Sequence, residues 1–328
     1  MTRQLFMIFV QSAFVFVFAQ LLFLDTIVCA TNSSSGSNTV VSEAEIQILN
    51  CALHIEHLED ALYTEGLSRF SVQDFVNNGL EPWMYGRLQE ILEHEEAHVE
   101  FLKSVVSEAG GKPVERCIYN FSYSDPKSFV ELASKLETIG TAAYHGASAM
   151  LTDERYISAS GAMFAIEARH SGWIDSSVRK VSAWSGAFGV PLNCGQVLTL
   201  VSPFIESCPS QNSENSLLPE PYPPLTISNS AHPNEIALLT FAYPENYTSE
   251  ATSASLSANF LTSNAGMLFA PVIVQEGQGP ARVKIPENVH GDVFVVITTT
   301  DADHGTDKEI VAGPALIRFG FDAEGRLG

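Results

Sequence analysis

The stretches ALHIEHLEDALY (residues 52–63), EHEEAH (93–98), LETIGTAAY (136–144) and AIEARH (165–170) read as two copies of one pattern. In the first copy Glu56 is followed seven residues later by Tyr63, and then come Glu95 and His98 as Glu-x-x-His. The second copy repeats this with Glu137, Tyr144, Glu167 and His170. Residues three apart share one face of a helix, so each Glu-x-x-His aims a carboxylate and an imidazole at one point. Two such pairs with two lone glutamates make six ligands, four carboxylates and two imidazoles. That donor set suits two iron or manganese ions in the core of a four-helix bundle.

One Glu-x-x-His alone is an ordinary surface pair that requires no explanation. Here it occurs twice, among Ala97, Val99 and Phe101 in one copy and Ala165, Ile166 and Ala168 in the other. Glutamates placed inside an apolar bundle are costly to bury unless they are paired or bind a metal. The repeated pattern therefore favours a metal centre over a solvated face.

The 328 residues are 45% hydrophobic and 17% charged, which describes a folded chain with a sizeable core rather than a disordered one. A formal charge of −21 argues against nucleic acid or an anionic membrane surface as partner. The acidity fits a metal-handling or cell-wall-associated protein, but most acidic surfaces serve only solubility.

Residues 1–30 read as a secretory signal peptide: Arg3, an apolar run from Leu5 to Leu24, and Val28-Cys29-Ala30 as the cleavage site. Gln11, Ser12 and Gln20 within that run and Asp25 just after it disfavour a membrane anchor. No stable membrane insertion is expected after cleavage. Glycosylation sequons begin at Asn32, Asn120 and Asn246, and an even set of cysteines remains, Cys51, Cys117, Cys194 and Cys208. These four allow three pairings, and the sequence does not choose among them. Cys51 reads as a half-cystine or small core residue, not as a ligand.

A flexible leader (31–42) precedes a helical region (43–208), whose helices are expected at about 43–66, 84–109, 125–150 and 154–181. A shorter one is expected at 196–204. Gly110-Gly111 and Asp125-Pro126 are a stop and a start. Phe70–Gly79 reads as a connection, with Ser71 as a capping start. A Pro/Ser/Asn-rich linker (209–224) leads to six short alternating runs: Glu235–Tyr243, Leu256–Phe260, Met267–Val274, Ala281–Ile285, Val293–Thr299 and Ala315–Phe319. Residues 225–328 are thus expected to form a β-sandwich of immunoglobulin-like type, serving as an adhesion or cap module.

The phrases LHIEHLEDALYTEGL, EHEEAHVEFL, LETIGTAAYHGA and AIEARHSGWI resemble the ferritin-like superfamily. The likeness extends over residues 46–208. They are most similar to secreted fungal ferritin-like proteins of the stress-response and late-sexual-development type. Plant desiccation-related proteins resemble the same stretch. The tail, with VHGDVFVVIT and VAGPALI, resembles the β-rich end of the fungal members.

The resemblance implies an α+β chain of two domains, a ferritin-like four-helix bundle and then a β-sandwich. It implies Glu56 and Glu137 as lone or bridging carboxylates, Glu95 and Glu167 as the other carboxylates, and His98 and His170 as imidazole ligands. Tyr63 and Tyr144 become hydrogen-bond partners of the ligands. Glu59 competes with Glu56, and the shared spacing to tyrosine favours Glu56. His54, His57, His94 and His145 read as solvent-facing or packing residues. Two symmetrical Glu-x-x-His pairs look more like rubrerythrin or manganese catalase than a storage ferritin.

Two functions from different classes follow. One is a di-metal oxidoreductase, of ferroxidase, peroxidase or catalase type, whose partners are two iron or manganese ions and a small oxidant. The other is a non-catalytic cell-wall or stress-protective protein that keeps the bundle as a scaffold.

Overall fold

Ser42 opens the first long helix with a capping box, its side chain accepting from Glu45 N–H while the Glu45 carboxylate reaches back. This helix, α1 (Glu43–Arg69), is followed by the short α2 (Val72–Asn77), capped by Ser71 and Asp74. Helix α3 (Pro82–Glu108) begins on a proline at its first turn and ends before Gly110, whose φ of +83° suits the left-handed stop. Asp125 caps α4 (Pro126–Ser148), and Asp153 caps α5 (Glu154–Trp173). The structure is a computed structural model that describes residues 41–214, 217–228, 232–242, 256–274, 280–299 and 310–321. The expected signal peptide and the sequons at Asn32 and Asn246 lie outside the described residues.

Helices α1, α3, α4 and α5 form the bundle, with α1 packed against α3 and α4, and α4 against α5. Every residue of α1 from Leu49 to Tyr63 is buried. A helix buried all round is expected to be apolar, yet this stretch carries His54, Glu56, His57, Glu59 and Asp60, so each polar group needs a partner inside the protein. Asp60 pairs with Arg116, and His57 Nε2 lies 3.3 Å from the Val114 carbonyl oxygen.

The sequence leads one to expect the fourth long helix to reach Val181. It changes to a π-helical turn over Ile174–Arg179, and Lys180 then takes a left-handed conformation that ends it. Asp175 on that turn accepts from Ser134 Oγ at 2.5 Å and Arg179 Nη1 at 2.8 Å, so the widened turn brings a carboxylate back onto α4. Helix α6 (Cys194–Val201) passes into a 3₁₀ turn at Ser202–Phe204, where Pro203 cannot donate to a continuing helix.

Disulfides join Cys51 to Cys194 and Cys117 to Cys208. The first ties the central helix to α6. The second holds β1 (Ile118–Tyr119) beside its antiparallel partner β2 (Ile205–Ser207). A short helix, α7 (Ser210–Glu214), lies in the stretch that reads as linker. There Asn212 accepts from Glu115 N–H and donates to Glu115 O, fastening the crossover between α3 and α4.

The β-rich region has β3 (Thr226–Ile227), β4 (Ile236–Thr240), β5 (Leu256–Thr262), β6 (Gly266–Ile273), β7 (Ala281–Lys284), β8 (Gly291–Thr299) and β9 (Ile310–Phe319). The six expected runs thus appear as β4 to β9. An immunoglobulin-like sandwich is not confirmed. The strands form one antiparallel series, β3-β4-β7-β6-β5-β8-β9, in which β6 pairs with both β5 and β7 and joins the halves. Its ends curl together, Gly313 N–H donating to Pro223 O at 2.8 Å, so the sheet is nearly a barrel.

Alternation along the strands gives the sheet two buried faces. Leu256, Ala258, Phe260, Val293, Val295 and Ile297 fill its own interior, whereas Phe294, with Leu261 and Leu316, joins the core of the bundle. Arg318 on β9 donates to Ser134 Oγ at 2.7 Å, Ser134 O at 3.0 Å and Thr138 Oγ1 at 2.8 Å, and pairs with Asp292 at 2.6 Å. The β region therefore grips α4 at the turn that carries Glu137.

Candidate metal centre

Glu56 and Glu59 come from α1, Glu95 and His98 from α3, Glu137 from α4, and Glu167 and His170 from α5. All five carboxylates are fully buried, and all six residues expected as ligands are brought together. They fall into two groups: Glu56, Glu95, His98 and Glu167, and Glu95, Glu137, Glu167 and His170. In each group one ligand atom per residue lies within 4.8 Å of the others. Glu95 and Glu167 belong to both groups, so the shared carboxylates are those of the Glu-x-x-His pairs. Glu56 and Glu137 each belong to one.

His98 Nδ1 stands 3.2 Å from Glu56, 3.1 Å from Glu95 and 3.4 Å from Glu167. His170 Nδ1 stands 3.1 Å from Glu95 and 3.2 Å from Glu137. The tyrosines bond crosswise between the copies: Tyr63 donates to Glu137 and Tyr144 to Glu56. Burial and the neighbouring carboxylates push both phenols well above their ordinary range, so they remain donors.

Glu59 is not displaced by Glu56; it enters beside it. Position 59 lies three residues after Glu56, and its counterpart three residues after Glu137 is Gly140. A β-carbon at Gly140 would stand 2.7 Å from Glu59 Oε1 and 2.9 Å from Glu167 Oε2. The three-residue spacing puts Glu56 and Glu59 on one helix face and both are fully buried, but only Glu56 falls in a ligand group.

His94, expected as a solvent-facing or packing residue, also meets the cluster from outside. It is exposed, stacks on His170 with ring centroids 5.2 Å apart, and its Nδ1 lies 3.0 Å from His170 Nε2. This contact occupies the ring nitrogen opposite the one that faces the carboxylates. Its signal was the four-residue spacing to His98, which places both histidines on one face of α3. His54 and His57 are buried and His145 is half-buried.

Five carboxylates facing two imidazoles leave excess negative charge in a buried place. Both oxygens of Glu59 and Oε2 of Glu167 have no hydrogen-bond or ion-pair partner, while Oε1 of Glu167 and Oε1 of Glu95 face only an imidazole, at 3.4 and 3.1 Å. Burial, with the neighbouring carboxylates, pushes Glu59 and Glu167 well above the usual carboxyl range. Burial raises Glu95 to about 7 against the pull of His170 and His98. Burial also acts on Glu56, yet the charge of His98 and the bonds from His98, Glu95 and Tyr144 hold it below the ordinary value. Against burial, Glu137 and Glu95 hold His170 up at about 11, and Glu56 chiefly raises His98. Orphaned oxygens, excess charge and a donor set of hard oxygens and imidazole nitrogens fit one or more divalent or trivalent cations.

Comparison with known proteins bears on the same region. Residues 44–180 match the family model described as a ferritin-like domain. Protein rds1 of Schizosaccharomyces pombe is 23% identical over 218 residues, covering 62% of this chain and 50% of its own. The chain thus spans about half the length of the curated relative it matches. A crystal structure described as ferritin like, diiron-carboxylate proteins from Bacillus anthracis str. Ames aligns with a TM-score of 0.37 and 18% identity. That alignment covers 44% of this chain and 99% of the other.

Proposed function

Because residues 44–180 of this chain are a ferritin-like domain, we propose that its bundle holds two iron or manganese ions and acts on oxygen or peroxide. The observation that carries this reading is the sharing of Glu95 and Glu167 between the two ligand groups, an arrangement suited to a pair of ions. Bound there, such ions supply redox and Lewis-acid chemistry toward a small oxidant.

The chain's own residues perform the positioning. Tyr63 and Tyr144 each hold one oxygen of Glu137 and Glu56, leaving the second oxygen of each for coordination. The His94 contact orients His170 with Nδ1 toward the carboxylates. The five carboxylates are fully buried, which shields the centre from bulk water. His98, with its side chain 14% exposed, connects the centre to solvent.

Secretion belongs to the same proposal. It is supported by the apolar amino terminus with its cleavage motif, by two disulfides, and by an exposed sequon at Asn120. Among the described residues no helix is long and apolar enough to cross a membrane. A role in oxidative stress or development, at or near a cell wall, fits such a protein.

A scaffold without catalysis is the second reading. Its support is that His98 and His170 already stand within 3.4 Å of four of the carboxylates, which partly offsets their charge without an ion. Anaerobic loading with iron(II) or manganese(II), followed by measured oxygen and peroxide consumption, separates the two. The proposed function requires turnover above that of the free ion, lost in Glu167→Ala. A loaded protein that consumes neither oxidant leaves the scaffold.

A further inference from the structure

Each imidazole of the centre has a second ring nitrogen, and the two pattern copies treat it differently. The residue just before the glutamate of Glu-x-x-His is His94 in the first copy and Ile166 in the second. His94 Nδ1 lies 3.0 Å from His170 Nε2, with the ring planes 8° from parallel and the ring centroids 5.2 Å apart. The two nitrogens therefore face each other along the line of ring centres, the direction in which an N–H donates. Ile166, a hydrocarbon side chain, can accept no such bond. Among the described residues His98 meets the protein only through Nδ1, at Glu56, Glu95 and Glu167, and its Nε2 has no partner. The His98 side chain is 14% exposed, against 6% for His170.

A neutral imidazole that ligates through Nδ1 carries its proton on Nε2. In that state His170 donates to His94 Nδ1, which fixes the ring and makes its ligating nitrogen a stronger donor to a cation. His98 in the same state has only water to donate to. The remaining groups do not distinguish the two halves: Tyr63 holds Glu137 as Tyr144 holds Glu56, and Glu95 and Glu167 serve both.

We infer that His94 makes the two halves of the centre unequal: the group of Glu95, Glu137, Glu167 and His170 takes the first ion, and the half completed by Glu56 and His98 fills last and empties first. His94 is a positioning residue, since it acts through His170. Exchange of ions with the medium then takes place at the His98 half, whose imidazole reaches solvent. This inference rests on the metal-centre reading and adds an order of filling to it.

The test is anaerobic titration of the full chain with cobalt(II), followed by visible absorption, with urea unfolding of the metal-free protein measured beside it. Wild type is expected to fill in two steps. His94→Ala should weaken the first step about tenfold and leave metal-free unfolding unchanged, as suits an exposed residue. His94→Gln, whose side-chain oxygen can accept from His170 Nε2, should bind the first ion more tightly than His94→Ala. His170→Ala should lose the tight step, and His98→Ala should keep it. A His94→Ala titration equal to wild type overturns the inference and leaves a two-ion centre standing. So does a tight step lost with His98 and kept without His170, or equal weakening by alanine and glutamine at position 94. A folded wild type that binds no cobalt overturns it together with the metal-centre reading.

Discussion

Glu59 fills the space that Gly140 leaves open: a β-carbon on Gly140 would lie 2.7 Å from Glu59 Oε1. The two pattern copies are therefore symmetrical in the six expected ligands and asymmetrical in a fifth carboxylate, for which glycine on the opposite helix makes room.

Gly140→Ala separates metal binding from folding. Alanine is the better helix former by about 1 kcal/mol, so the metal-free fold is expected to keep its stability. The methyl group presses on Glu59 and Glu167 together, and metal affinity should fall at least about tenfold. Metal titration beside urea unfolding checks this; unchanged affinity would show that neither carboxylate needs its present position.

The metal-free centre should be sensitive to pH in a stated direction. Burial raises Glu95 from 4.5 to about 7, so the folded state holds its proton more tightly than the unfolded state. Its contribution to stability is complete below the unfolded value and is lost as pH rises through about 7. Glu59 and Glu167, also raised, act the same way, while Glu56 is lowered and loses its contribution as pH falls. Glu95→Gln removes the Glu95 part. After chelation, variant and wild type should match near pH 4, and the variant should be more stable near pH 8 by on the order of 3 kcal/mol. Parallel stability curves across that window would refute the assignment.

Arg318 couples the β region to the helix bearing Glu137. Its bonds to Ser134 and Thr138 and its pairing with Asp292 are lost in Arg318→Ala. A loss of about 2–3 kcal/mol is expected in denaturant unfolding. Arg318→Lys should restore little, because a single ammonium cannot reproduce the planar fork.

Each disulfide closes a long loop, with separations of 143 and 91 residues. Chain entropy gives about 5 kcal/mol for the longer one. Cys51→Ala/Cys194→Ala should therefore lower the thermal midpoint markedly, and adding reductant should have little further effect through that bridge. A midpoint equal to wild type would mean that packing of α6 alone holds the central helix.

Much of this was legible in sequence because it is local. Helix limits followed from the start at Asp125 and the stop at Gly110, and the two Glu-x-x-His pairs, with the seven-residue Glu-to-Tyr spacing of Glu56 and Glu137, named six residues that the fold brings together. What escaped depends on distant segments. The crosswise bonding of Tyr63 to Glu137 and Tyr144 to Glu56 requires the packing of α1 on α4. The stacking of His94 on His170 requires two helices side by side, and the choice among three cysteine pairings requires the path of residues 181–208. Strand runs such as Val293–Thr299 were readable from β-branched residues. Their joining into one curled sheet depends on β6 pairing on both edges, which alternation does not encode.

The most direct test of the metal centre is metal content per chain, by mass spectrometry of protein produced with both iron and manganese supplied. A Glu95→Ala/His170→Ala double variant should be measured beside it. Binding of about two ions per wild-type chain, absent from the folded double variant, is the predicted result. A folded wild type that carries neither metal, even after anaerobic reconstitution with each, would contradict it.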